Sequence, residues 1–223
     1  MRPWYSILPP AGDSLAVLRV HDDIGCGASA ADCLRELEGF ARVDLLVSTC
    51  GGDAATSLDL LEALTGRCER AIATGPCYSG GVIVLQAGRR RYAARGATLM
   101  VHEGRSAVVG TADRLEAEAI RLRAANEKFI ELYCRRTGQP REIVMRWMTA
   151  DTFFGPAEAV AANLVDEIVE DAPAPASRPL PPVIAEDEGQ TLLSVLAAIG
   201  QVHCADPARV RREVMGWVGM NLR

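Results

Sequence analysis

Apolar and polar positions along this chain fall into two alternating rhythms. Leu15-Ala16-Val17-Leu18-Arg19-Val20 reads as a strand, and Asp22, Asp23 and Gly25 form the turn that ends it. From Ser29 to Phe40 the spacing becomes helical: Cys33, Leu34, Leu37 and Phe40 share a face, Ser29 suits the N-cap and Asp32 falls in the first turn. Val43 to Ser48 is a second strand, broken at Thr49-Cys50-Gly51-Gly52-Asp53, and a helix follows from about Ala54 to Leu64. Ala71-Ile72-Ala73-Thr74 reads as a short buried strand ended by Gly75-Pro76, and the apolar run after Ser79 as a core helix stopped by Gly88. Arg91 to Ala94 and Thr98 to His102 are two more short strands. Repeated strand-to-helix units of this length predict a parallel sheet with crossover helices, an α/β layered fold.

One long helix is predicted from about Ala112 to Arg136, with Leu115, Ala119, Leu122, Phe129 and Tyr133 as its stripe and Gly138 as its stop. Two readings are open for it: a core helix packed across the sheet, or a protruding helix that pairs with another subunit. A helix at Arg141 to Met148, the segment Ala150 to Phe154, a helix starting at Pro156 and a strand around Leu164 to Val169 come next. Residues 1–171 therefore form the main domain. Residues 172–185 are a proline-rich, semi-rigid linker, and 186–223 a small helical tail with an apolar face at Val210, Val214, Trp217 and Val218.

Composition removes several classes of function. The chain has 223 residues, 49% hydrophobic and 24% charged, with a net charge of −5, which argues against a nucleic-acid surface. Lys128 is the only lysine and lies within the long predicted helix, which leaves no place for a Walker-type phosphate loop or a Ser–Lys dyad. Seven cysteines without a C-x-x-C pair suggest neither a disulfide framework nor a zinc site, and no metal or cofactor is expected. No apolar run is long enough to span a bilayer and the first ten residues lack the core of a signal peptide, so the expected location is cytoplasmic.

Candidate chemistry concentrates at Ser79, on a strand-to-helix corner beside the free N–H groups of a helix N-terminus. Such a serine either caps the helix or is a nucleophile whose oxyanion meets donors already aimed at it. The pattern is not the G-x-S-x-G elbow, because Cys77 fills the first glycine position. Of three histidines, His21 sits in a turn and His203 beyond the linker, so His102 is the well-placed base.

Several segments together resemble the Clp protease proteolytic subunit family. Ser48 to Asp53 is similar to its S-P-G-G-x loop, Gly75 to Gly88 to its nucleophile segment, and Thr98 to Glu103 to its M-I-H strand end. Thr149 to Val160, followed by Asn163-Leu164-Val165-Asp166, is similar to its R-D-x-F block. The resemblance covers roughly residues 15–170 and implies the layered Clp/crotonase-like fold and a serine endopeptidase. It implies Ser79 as nucleophile, His102 as base and then acid, and Asp151 as the group orienting His102. The N–H groups of Gly52 and Gly80 would form the oxyanion hole, with peptide substrate added as a strand beside Gly51 to Ala54 (Asp53 included) and Gly104-Arg105 to Val108. It also implies homo-oligomeric rings, stacked through the long helix, and a separate unfoldase ATPase for folded substrates. The lead-in at Trp4 and the C-terminal tail look more like the phage-borne head maturation proteases, whose partners are capsid and scaffold proteins. Cys50 departs from the family proline, and Cys77 and Tyr78 replace small residues, which raises the alternative of an obstructed, inactive assembly subunit. A crotonase-type acyl-CoA enzyme is a third class, disfavoured by the Ser–His pair.

Overall fold

The computed structural model describes residues 3–8 and 15–170; the predicted linker and helical tail lie outside the described residues. Eight strands form one sheet: β1 (Tyr5–Leu8), β2 (Leu15–Val20), β3 (Arg42–Thr49), β4 (Cys68–Tyr78), β5 (Arg90–Ala94), β6 (Thr98–Val101), β7 (Thr152–Phe154) and β8 (Glu167–Val169). They are ordered β1-β2-β3-β4-β5-β8, while β6 pairs with β4 and β7 with β6. All pairings are parallel except β1 with β2 and β6 with β7. The helices are α1 (Ala30–Glu36), α2 (Ala54–Leu64), α3 (Gly80–Leu85), α4 (Ala112–Thr137), α5 (Arg141–Thr149) and α6 (Pro156–Ala161). The layered α/β class expected from the sequence is the one observed.

Local chemistry accounts for the element ends. Ser29 and Asp32 form a reciprocal capping box that starts α1, and Asp53 caps α2 by accepting from the Thr56 N–H at 2.7 Å. Gly138 closes α4 in the left-handed conformation. Apolar residues of β2, β3 and β4 are buried alternately, and every residue of α3 is buried against them. Burial of this kind stabilises by roughly 25 cal/mol per Å² of apolar surface, so the centre of the sheet is the rigid part of the molecule.

Two departures from the sequence reading bear on the site. β4 does not stop at Gly75-Pro76 but runs on to Tyr78. It pairs with β5 over Arg70 to Ala73 and with β6 over Pro76 to Tyr78, and its register with β3 shifts between Val47 and Thr49. Pro76 stands where the strand changes neighbours, a position at which a missing N–H costs little. The second departure is β1, which the sequence reading left as a lead-in. Trp4 anchors it from full burial, its indole N–H donating to Ala28 O at 2.9 Å, and the Tyr5 hydroxyl donates to Glu36 at 2.7 Å.

The long helix is buried over its second half only. Its buried residues, Phe129, Ile130, Leu132, Tyr133 and Thr137, all lie in the second half. In the first half Leu115 and Ile120 are exposed at 46% and 59%, so that part of α4 is not packed on the sheet.

Candidate active site

Strand register brings three sequence-predicted residues to one end of the sheet. Tyr78 is opposite Met100 in the β4–β6 pair, and Met100 is opposite Phe153 in the antiparallel β6–β7 pair, with Val101 opposite Thr152. Just past the ends of β4 and β6 stand Ser79 and His102, and just before β7 stands Asp151; the antiparallel register pairs 102 with 151, and the parallel one sets Ser79 level with Val101. The Ser79 N–H donates to Met100 O at 2.8 Å, which fastens the corner to β6.

Ser79 has φ +52 and ψ −119, a conformation that side-chain-bearing residues rarely adopt, and its hydroxyl makes no capping bond to α3. The capping reading therefore lacks its hydrogen bond, and the strained backbone is held by the strand before and the helix after. Cys77 is fully buried, and burial pushes its thiol well up. Tyr78 alternates to the opposite face, where its ring meets Phe153 edge-on with centroids 5.6 Å apart.

Next to the corner lies the glycine loop. A Cβ on Gly51 would come 2.7 Å from the Ser79 Cβ, so Gly51 is the residue that touches Ser79. Gly51 O accepts from the Ile24 N–H at 2.7 Å, and the Asp53 N–H donates to Ile24 O at 2.8 Å. Since C=O and N–H point oppositely across a trans peptide, the Gly52 N–H is aimed away from Ile24. The Gly80 N–H, first in α3, has no carbonyl one turn earlier to bond.

Thr49 and Asn126 support this arrangement, and the sequence reading assigned neither a role. Thr49 is buried, and its hydroxyl donates to Asp22 O at 2.7 Å and accepts from the Gly51 N–H at 3.0 Å. Replacing Thr49 by Val keeps the shape and removes both bonds, so we expect a loss of about 1–3 kcal/mol in chemical denaturation. Asn126 on α4 accepts from the Gly104 N–H at 2.7 Å, and the Glu103 N–H donates to Met148 O at 3.1 Å. No strand forms at Gly104 to Val108, and the Gly104 N–H is engaged by Asn126. Asp53 likewise has its carboxylate committed to capping α2.

His102 is half-buried, with Nδ1 enclosed and without a hydrogen-bond partner. Burial holds its imidazole below the usual range, and the Arg105 guanidinium pushes in the same direction, while Asp151 and a backbone hydrogen bond with Glu103 pull the other way. Asp151, at φ +50, does not reach the ring: its carboxylate is bound by Arg105. Among the described residues no group of His, Cys, Asp and Glu could hold a metal ion, and no helix is long and apolar enough to cross a membrane.

Comparison with known proteins places this geometry. Over 101 residues the chain is 29% identical to the ATP-dependent Clp protease proteolytic subunit of Deinococcus radiodurans, covering 44% of this chain and 50% of that protein. Subunit 2 of Chlamydia muridarum is 25% identical over 134 residues (58% and 66% covered), and subunit 2 of Bacillus licheniformis 28% over 131 residues (57% and 69%). The chain thus spans half to about two thirds of the length of the curated relatives it matches. Among solved structures, a mutant ClpP1 from Listeria monocytogenes superposes with a TM-score of 0.61 at 20% identity, over 70% of this chain and 91% of that one, which shows a shared fold. The family model described as Clp protease matches residues 33–172, more than half of the sequence and the whole of the site, and the chain belongs to the Clp protease family.

Proposed function

We propose that this chain is the subunit of a serine endopeptidase, with Ser79 as nucleophile, His102 as base and Asp151 as the carboxylate that orients the imidazole. The observation that carries the reading is the uncapped, positive-φ Ser79 just past the end of β4, at the same end of the sheet as His102, just past β6, and Asp151, just before β7. Ser79 Oγ attacks the scissile carbonyl carbon while His102 takes its proton. The carbonyl oxygen becomes an anion held by the Gly52 and Gly80 N–H groups. Collapse expels the amine, which receives the proton from His102, and water then releases the acyl group by the same steps reversed. Substrate would lie beside Gly51 and Arg105.

Family membership supports assembly into homo-oligomeric rings, and the exposed Leu115 and Ile120 leave apolar side chains on the outer half of α4 for contact with a second ring. With no phosphate loop in the sequence, folded substrates would need a separate unfoldase ATPase; capsid or scaffold proteins are the partners on the phage-type version of this reading. We place the protein in the cytoplasm, acting without metal or cofactor.

A fluorophosphonate probe followed by peptide mass spectrometry tests this. Modification confined to Ser79 is the expected result, and folded protein that stays unlabelled sinks the reading. Because the base acts only when neutral and its pKa is lowered by burial, the labelling rate should reach half its plateau below pH 6.5, where an ordinary histidine is half protonated. A rate that halves above pH 6.5 contradicts this. A second reading, an inactive assembly subunit, is favoured by one observation, the engagement of Asp151 with Arg105 in place of His102. The acyl-CoA reading has no comparable feature in its favour.

A further inference from the structure

We propose that Arg105 is a latch on this site: in the resting chain its guanidinium holds the Asp151 carboxylate, and His102 gains its orienting partner only when that ion pair opens. The inference rests on the triad reading above and turns its weakest point, the unpartnered Nδ1 of His102, into a resting state. A buried ring nitrogen without a partner is uncommon in a folded protein, and each such group calls for an explanation. Here the missing acceptor stands nearby, close enough for its charge to be felt at the ring, but is bound elsewhere.

The surrounding backbone leaves only side chains to move. Met148 O accepts from the Glu103 N–H at 3.1 Å and from the Asp151 N–H at 3.4 Å, so one carbonyl fixes both segments that meet here. Asn126 fixes Gly104, the residue before Arg105. The charged groups facing His102 are Arg105 from its own segment and Asp151 from the α5–β7 corner. Closed, the latch places a positive charge near His102 and withdraws the negative one; open, it reverses both. The pair is shallow, with Arg105 60% and Asp151 45% exposed, so it is readily exchanged and screened by salt. Any anion that draws Arg105 away, such as an acidic residue of a bound peptide, would assemble the relay.

The test compares the full chain with Arg105→Gln and Arg105→Lys, each with and without Asp151→Asn. Two readouts are taken: the rate of fluorophosphonate labelling at Ser79, and the pH midpoint of His102 carbethoxylation by diethyl pyrocarbonate, located by peptide mass spectrometry. Arg105→Gln should label about two- to five-fold faster at low salt, the size set by an exposed ion pair, and Arg105→Lys should fall between it and the parent. Raising salt should speed the parent toward Arg105→Gln. Asp151→Asn should lower the His102 midpoint clearly more in the Arg105→Gln background than in the parent, because the carboxylate reaches the ring only there. An equal drop in both backgrounds, or slower labelling by Arg105→Gln, overturns the latch. Failure of labelling in every protein would defeat the peptidase reading, and the midpoints would still decide whether Arg105 governs the contact between Asp151 and His102.

Discussion

Replacing Ser79 by Ala is expected to lower peptide hydrolysis by at least about a thousand-fold while leaving stability nearly unchanged. Loss of a serine nucleophile removes the acyl-enzyme route and leaves only what binding and oxyanion donors provide. The stability half follows from the missing cap bond: an N-cap serine contributes about 1 kcal/mol, but the Ser79 hydroxyl gives α3 nothing. Ser79→Gly separates chemistry from strain. It should be as inactive as Ser79→Ala yet more stable by about 1–2 kcal/mol, because φ +52 with ψ −119 suits glycine and strains any residue with a Cβ. Hydrolysis of a fluorogenic peptide and urea denaturation measure the two halves. If Ser79→Ala retains activity, the nucleophile is elsewhere; if it costs a full cap, the corner has been misread.

How much of this was legible in the sequence depends on the range over which each feature is determined. The bounds of α2 and the cap at Ser29 are local properties of a few residues and came out as expected. So did the end of α4 at Gly138. The continuation of β4 through Pro76 did not, because a proline ends a strand only if its N–H is needed, and that depends on which neighbour lies alongside. The strand at Tyr5 to Leu8 was hidden by its brevity, since four residues carry too little alternation to read. For the candidate site, motifs pointed to Ser79, His102 and Asp151, which the strands bring to one end of the sheet. The contacts around them could not be found that way: Arg105 meets Asp151 across 46 positions, Thr49 meets Asp22 across 27, and Asn126 meets Gly104 across 22. No spacing rule connects such pairs.

Substituting Ala for Gly52 should damage both the fold and the chemistry, more severely than the same change at another positive-φ glycine with open space around it. At Gly52 (φ +141) the added Cβ would lie 2.9 Å from Ile24 Cα and closer still to the Ile24 N and O, all main-chain atoms that cannot swing aside. The Ile24–Gly52 bridge must therefore open, with loss of the hydrogen bonds from Ile24 N–H to Gly51 O and from Asp53 N–H to Ile24 O. Two such bonds and the strained φ together come to about 2–4 kcal/mol. Gly66 (φ +85) provides the control: nothing stands within 4 Å of its added Cβ, so Gly66→Ala isolates the backbone conformation at about 1–2 kcal/mol. The chemical consequence follows from the same displacement. With the bridge open, the Gly52 N–H no longer has a fixed direction, and losing one oxyanion donor typically costs about 10²- to 10³-fold in rate. Fluorophosphonate labelling of Ser79 should fall by that factor in Gly52→Ala and stay unchanged in Gly66→Ala. Equal stability losses in the two variants would mean that Ile24 yields easily. Undiminished labelling of folded Gly52→Ala would mean that the second oxyanion donor belongs to some other amide.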